Sequence, residues 1–483
     1  MKNLLFVLTL ITLFTACKKD TVSNTYQVYK TPPANSDREL IADSTFLYAR
    51  EIYLWNDKLG EYNTFNPRKF LGTDELQTAQ NVMDAIKARE VSDLFSYATT
   101  IEDSEQGQTG NGEDWGFFVK AGYANANDIK WFITYVYAAS DAGQKGVRRG
   151  WYIEKLNGVT LGYDNASVAK LNDLLFGSAT TAEITFGRLG LPDTTFTVNK
   201  TTFQANSVLF ARIYTHTSGK RIGYFVFNQF FNEVSRIELV NVFDFFQNQG
   251  IDELVVDLRN NLGGSTATQD LLANLIAPYS ANGKTMYYYE FNSLLQEDRF
   301  ILLRNKAKFP WVQLDRGYFS KEANKLPFRK EGSINLNRVF FIVSNNSASA
   351  SELLINNLKP VMDVQLIGDN TRGKSVGFFP VNLLEKVALY PVSFRTVNSE
   401  GAAVPHTGFA PNKVAPDGVQ YDWGDTYEPC LYNALSYIIN GSYPTTLSSN
   451  ATIGRSVVGD KLVELKQIEP RPKVPGLYIE NKF

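Results

Sequence analysis

Two histidines, His216 and His406, and two cysteines, Cys17 and Cys430, are all that the 483 residues contain. A Ser-His-Asp triad needs an imidazole placed beside its serine, so any such site must use one of these two histidines. His406 is the better placed of them, in a loop containing Gly and Pro. Two cysteines allow a single disulfide at most. There is no long basic run and the net charge is −2, which excludes a concentrated phosphate-binding surface and with it nucleic acid as a partner. Charged residues make up 20% of the chain and hydrophobic residues 44%, a globular balance spread over a length that suits two to four domains. Aromatic side chains are plentiful instead: 25 Tyr and 33 Phe can furnish both cores and grooves. Nothing in the composition calls for a cofactor or a metal.

The first seventeen residues explain one cysteine. A short basic start, Met1-Lys2-Asn3, precedes an apolar run from Leu4 to Phe14 broken by Thr9 and Thr12. That run is too short to span a bilayer and fits a secretory signal. Its ending, Phe14-Thr15-Ala16-Cys17, resembles a bacterial lipobox, with Phe at a position where Leu is commoner. The resemblance implies that Cys17 is lipidated and becomes the mature N-terminus, anchoring the chain in the bacterial cell envelope at the outer membrane. Cys430 is then a lone thiol and reads as a small core residue. Residues 18–38, polar and interrupted by Pro32-Pro33, read as a tether.

The texture changes along the remainder. Over 39–105 Phe46, Ala49 and Tyr53 fall on one helical face, and Leu47 and Leu54 on another, which predicts a helical N-terminal domain. Residues 110–203 turn to short β-rich runs, Trp115–Val119, Trp131–Tyr137 and Ile184–Phe186, with an Asn157-Gly158 hairpin signal. The stretch from Gly146 to Gly158 is similar to a bacterial PDZ domain, with Trp151 where that family has Asp. The resemblance implies capture of an extended peptide through its free C-terminus by strand addition, with Trp115, Gly116, Phe117 and Phe118 near the carboxylate loop. Over 204–443 apolar strands at Ile222–Phe227, Glu253–Leu258 and Val339–Val343 alternate with helical stretches, which predicts a layered α/β domain. Residues 444–483 are polar and Pro-broken and read as a tail lying on the surface.

Two strand ends bear turns with chemical potential. Asp257-Leu258-Arg259-Asn260-Asn261-Leu262-Gly263-Gly264 ends in a double glycine that lets backbone N–H groups approach a ligand. Ser347-Ala348-Ser349-Ala350-Ser351-Glu352 opens a helix, which places a serine among free N–H groups at the positive end of the dipole. Either turn alone is equally a plain connection or a helix cap. A third segment, Gly368-Asp369-Asn370-Thr371-Arg372-Gly373-Lys374, follows the strand Val364–Ile367. Together, and in this order, the three resemble the S41 C-terminal processing peptidases, whose motifs are Asp-Leu-Arg-Asn-Asn-x-Gly-Gly, Ser-Ala-Ser-Ala-Ser-Glu and Gly-Glu-x-Thr-x-Gly-Lys. Ser349 and Lys374 keep the family spacing of 25 residues, and Gly408-Phe409-Ala410-Pro411-Asn412 matches a later element.

The resemblance implies a ClpP/crotonase-like α/β core and a serine endopeptidase acting on extended polypeptides. Ser349 would be the nucleophile, Lys374 its general base, and Ala350 with Gly263 or Gly264 the oxyanion donors. The family's Gln four residues after the lysine is Phe378 here, which leaves open a catalytically weak or inactive peptide-binding lipoprotein on the same scaffold. A glycan-binding surface lipoprotein would suit the aromatics and leave the three motifs unexplained. An exposed lysine titrates near 10.4, so a lysine base requires a shift of roughly three units, about 4 kcal/mol, obtainable by burial. Phe378, Phe379 and the strand Val339–Val343 are the expected walls.

Overall fold

The computed structural model describes residues 31–306, 314–445 and 478–479. The expected signal and Cys17 lie outside these, as does the tail apart from Tyr478 and Ile479.

The N-terminal region is helical because its caps and apolar faces agree. Ser36 and Asp74 accept the N–H groups of Glu39 and Gln77 at the starts of Asp37–Ile52 and Glu75–Lys87. Phe46, Ala49 and Tyr53 are fully buried, as the periodicity predicts, with Ala79, Val82 and Met83 of the second helix. Leu47 and Leu54 are only half-buried. The helical pattern is interrupted before it resumes in the helix Ile101–Thr109. Tyr97–Thr100 is a strand that pairs antiparallel with Val387–Tyr390, so this region shares a sheet with residues far along the chain. The β-branched pair Thr99-Thr100 and Tyr97 suit a strand better than a helix.

Residues 117–199 form a six-strand antiparallel sheet in the order Phe117–Asn125, Asp128–Val136, Tyr152–Leu156, Thr181–Arg188, Leu191–Asn199, with Val159–Thr160 pairing on Tyr152–Leu156 off that path. The helix Asn165–Phe176, capped by Asp164, packs Val168, Leu171 and Leu175 into a core with Trp131, Ile153 and Phe186. The Asn157-Gly158 turn has φ of 49° and 77°, the all-positive geometry of a two-residue hairpin. Phe117–Asn125 is an edge strand. Of the four residues expected at a carboxylate loop, Trp115 and Phe117 are core side chains, and Phe118 is half-buried and stacks on Tyr135. Gly116 has φ 79° and abuts Ser140, where no Cβ would fit.

The catalytic-region sheet has six strands: Val208–Thr215, Arg221–Phe227, Glu253–Asp257, Arg338–Val343, Asp363–Gly368 and Lys413–Val414. The first joins antiparallel; every other pairing is parallel. Helices such as Glu233–Gln249 and Thr266–Ile276 connect them, which is why the strands are apolar almost throughout. Parallel pairing brings the C-terminal ends of three strands, at Asp257, Val343 and Gly368, to one edge, where open α/β sheets carry their sites. Each of the three motifs begins at or shortly after one of those ends.

Tyr478 departs from the expected surface tail. Its side chain is fully buried, and its main chain bridges to both Ser265 and Phe378.

Candidate active site

The three serines of the Ser-Ala-Ser-Ala-Ser segment are not equivalent. Ser347 Oγ donates to the Leu258 carbonyl at 2.8 Å, and Ser351 Oγ to that of Asn261 at 3.0 Å. The outer two therefore rivet this turn to the glycine loop. Ser349, between them, is fully buried and holds φ at 63°, a left-handed conformation that costs a non-glycine residue about 1 kcal/mol or more. It directly precedes the helix Ala350–Leu358.

The glycine loop reaches this serine at contact distance. A Cβ on Gly263 would lie 2.8 Å from Ser349 Cβ and 2.9 Å from the Ala350 nitrogen, so only glycine can stand there. Asn261 fixes the loop from inside: its Nδ2 donates to Phe227 O and its Oδ1 accepts the Gly263 N–H. That bond engages the Gly263 N–H.

Below the loop, Arg259 is buried and forms ion pairs with Asp257, Glu428 and Asp417. Asp417 also pairs with the buried Arg149 of the β-rich region at 2.6 Å. The two guanidinium groups hold the Asp417 carboxyl far below the usual range despite its burial. This network ties the glycine loop to the helix Pro429–Asn440, which Glu428 caps, and to the 117–199 sheet.

Lys374 is nearly wholly buried, with its Nζ 4.5 Å from the Phe378 ring centroid and 5.0 Å from that of Phe95. Burial, with the positive charge of Arg372 adding to it, lowers its pKa to about 7, and the charges of Asp93 and Glu352 pull the other way. The expected aromatic wall is present at Phe378. Phe379 packs instead among Phe291, Phe319 and Phe394. The second wall, Phe95, comes from the N-terminal region, and no local pattern around it signals that role.

Glu352 joins the two halves. Its Oε2 accepts the main-chain N–H of both Ser349 (2.9 Å) and Lys374 (2.8 Å), and its Oε1 accepts Gly373 N–H and the Thr371 hydroxyl. Burial raises its pKa, and those four donors oppose the rise. Sequence reasoning gave it no role, although a glutamate three residues after a helix-opening serine is a capping-box signal. The Gly408–Asn412 element also finds a place. Phe409 and Thr371 exchange hydrogen bonds, and Asn412 Oδ1 accepts the Leu366 N–H. Neither histidine is built in. His216 lies in the turn before Arg221, at the far end of its strand, and His406 exposes its side chain while its carbonyl packs on Gly373.

Compared with known families, residues 221–415 match peptidase family S41. The match spans 195 of the 483 residues, from the second strand of the catalytic-region sheet to just past its last. It supports a serine-type peptidase, and all three motifs fall inside the matched span. A search of curated proteins finds no match. Among solved structures, an S41-assigned protein of Bacteroides fragilis NCTC 9343 aligns with 85% of this chain and 99% of its own, at 23% identity and TM-score 0.61. That likeness shows a shared fold. The photosystem II D1 C-terminal processing protease aligns with 79% of this chain and 94% of its own, at 17% identity and TM-score 0.46. Asp93, Phe95, Arg149 and Tyr478 all lie outside the S41 match.

Proposed function

We propose that this peptidase cleaves extended polypeptides through a Ser349–Lys374 dyad at the cell envelope. The observations that carry the mechanism are the buried Lys374 amine, with a pKa near 7, and the Glu352 oxygen that accepts the main-chain N–H of both Lys374 and Ser349. As Ser349 Oγ attacks the scissile carbonyl, the neutral amine takes its proton. The carbonyl oxygen gains negative charge and turns toward the N–H groups of Ala350 and Gly264. The resulting ammonium lies between the Phe95 and Phe378 rings, whose faces favour a cation. It returns the proton to the departing amine, leaving an acyl-serine that water, deprotonated by the same lysine, hydrolyses. Phe378 thus supplies a ring where the family has Gln, and the lysine is held by its pocket and by its backbone bond to Glu352.

Labelling with a fluorophosphonate probe tests this reading. The wild-type chain should be labelled and Ser349→Ala should not, whereas Ser351→Ala should retain the label. Labelling that survives Ser349→Ala would remove the nucleophile assignment.

The edge strand Phe117–Asn125 supports a PDZ-type role, since among the described residues no strand pairs with its outer side, where a peptide would add. Peptides with free C-termini should bind better than their amidated forms by roughly tenfold, the worth of a charge-assisted bond. Equal affinities in isothermal titration would refute carboxylate capture. Anchoring through Cys17 completes the reading. Cys17→Ser should shift the protein from the membrane to the soluble fraction, and an unchanged distribution would count against lipidation.

A further inference from the structure

Tyr478 is held in the way a bound peptide would be. Its N–H donates to Gly264 O at 3.1 Å, its carbonyl accepts the Thr266 N–H at 3.0 Å, and the next N–H, of Ile479, donates to Phe378 O at 3.3 Å. One extended residue therefore fills the gap between the glycine loop and the strand that follows Lys374, pairing in parallel with both. Main-chain pairing of this kind accepts any sequence, so selectivity has to come from the side chain.

The side chain enters a polar pocket that is already arranged. Tyr478 Oη donates to Asn232 Oδ1 at 2.5 Å and lies 3.5 Å from the Gln108 carbonyl. The Asn232 N–H donates to that same carbonyl, and the Gln108 side chain is fixed by Ser104 and Tyr390. The Tyr97 ring stacks on that of Tyr390 at 4.7 Å, and its hydroxyl is buried without a hydrogen-bond partner among the described residues. Buried hydroxyl-binding groups of this kind are satisfied by tyrosine and left unpaired by phenylalanine.

Direction follows from the pairing. Gly263 touches Ser349, and the Tyr478 segment runs parallel to the chain as it leaves that contact through Gly264, Ser265 and Thr266. It runs likewise away from Lys374 toward Phe378. A peptide in this track has its N-terminal part toward Ser349, so the pocket lies on the C-terminal side of the bond cut.

We propose that Asn232 and Gln108 form a tyrosine-selecting substrate subsite C-terminal to the scissile bond, and that the chain's own Tyr478 occupies it as a competitor. The placement rests on Ser349 being the nucleophile; the pocket itself does not. A tethered segment competes at millimolar effective concentration, so removing its anchor lowers the substrate concentration needed.

The test uses the full chain carrying Tyr478→Ala and a synthetic peptide of residues 474–483, Val-Pro-Gly-Leu-Tyr-Ile-Glu-Asn-Lys-Phe, with Tyr, Phe or Ala at position 478. Equilibrium binding is measured with Ser349→Ala added, so that no cleavage is required. The Tyr peptide should bind at least about tenfold more tightly than the Phe peptide, and the Ala peptide more weakly still. Asn232→Ala should level Tyr with Phe, while Asn232→Asp, which keeps the acceptor, should preserve the preference. With Ser349 intact, Tyr478→Ala should lower KM for Tyr-containing peptides about tenfold at unchanged kcat. Cleavage should fall on the N-terminal side of the tyrosine. Equal binding of the three peptides, or a Tyr preference that survives Asn232→Ala, overturns the pocket. Cleavage on the C-terminal side of the tyrosine overturns its placement. Selective binding without any cleavage refutes the peptidase reading and leaves the tyrosine pocket standing.

Discussion

Lys374→Met is expected to abolish peptide cleavage and to make the protein harder to unfold at pH 7. Both effects come from one buried amine. Its folded pKa is about 7, against about 10.4 in an unfolded chain. Between those values the unfolded state binds more protons than the folded one, so stability rises with pH across that window. At pH 7 the buried amine costs about 4 kcal/mol relative to strongly alkaline solution, at 1.36 kcal/mol per unit. Methionine has nearly the same shape, carries no charge and suits a pocket walled by Phe95 and Phe378. Denaturant unfolding should therefore show Lys374→Met more stable by about 2–4 kcal/mol at pH 7, with the gap closing toward pH 10. Activity should fall by about four orders of magnitude or more, because nucleophile and base act as a unit. Lys374→Arg should be equally inactive but less stable, since its guanidinium stays charged where burial penalises charge. In the wild type, kcat/KM should climb as pH rises through about 7. A flat profile from pH 6 to 8, or equal stabilities of wild type and Lys374→Met at pH 7, would contradict the neutral-lysine mechanism.

Glu352 should be nearly as sensitive, although it touches no substrate. Four donors converge on its carboxylate, from Ser349, Lys374, Gly373 and Thr371. Glu352→Gln keeps the shape but turns an NH₂ group toward two of those donors. A buried donor left unsatisfied costs about 1–3 kcal/mol, so a loss of about 3 kcal/mol or more is expected in urea unfolding. The backbones of nucleophile and base would also part, and a displacement near 1 Å is worth about a hundredfold in rate. The loss should fall on kcat and on the rate of fluorophosphonate labelling, with KM little changed, because Glu352 is a positioning residue. Thr371→Val removes one of the four donors and also the acceptor of the Phe409 N–H, and should cost about 1–3 kcal/mol. If Glu352→Gln labels and folds within about threefold of wild type, the carboxylate does not hold the dyad together.

Much of this was visible in the chain itself. Local sequence determined the catalytic strands, because parallel strands buried on both faces must be apolar throughout, and Val255-Val256 and Phe340-Phe341 declare that without context. It also determined the Asn157-Gly158 hairpin, whose positive φ values few other pairs tolerate. The candidate residues Ser349, Lys374, Ala350, Gly263 and Gly264 were legible as motifs, since a close backbone approach requires glycine and a helix start offers free N–H groups. What local sequence could not supply is anything made by distant partners. Phe95 looks like any apolar residue until the strand Tyr97–Thr100 pairs with Val387–Tyr390 and brings it over Lys374. Arg259 is an ordinary charge until Asp417 and Glu428 surround it. Tyr478 sits in a Pro-broken polar stretch that suggests surface, and only the gap between Gly264 and Phe378 makes it a buried bridge. A lysine pKa is likewise a property of the volume around the amine and not of its neighbours in the chain. The sequence alone therefore determined which groups could do chemistry, while desolvation and long-range pairing, which exist only once the chain is folded, decided how they are held and charged.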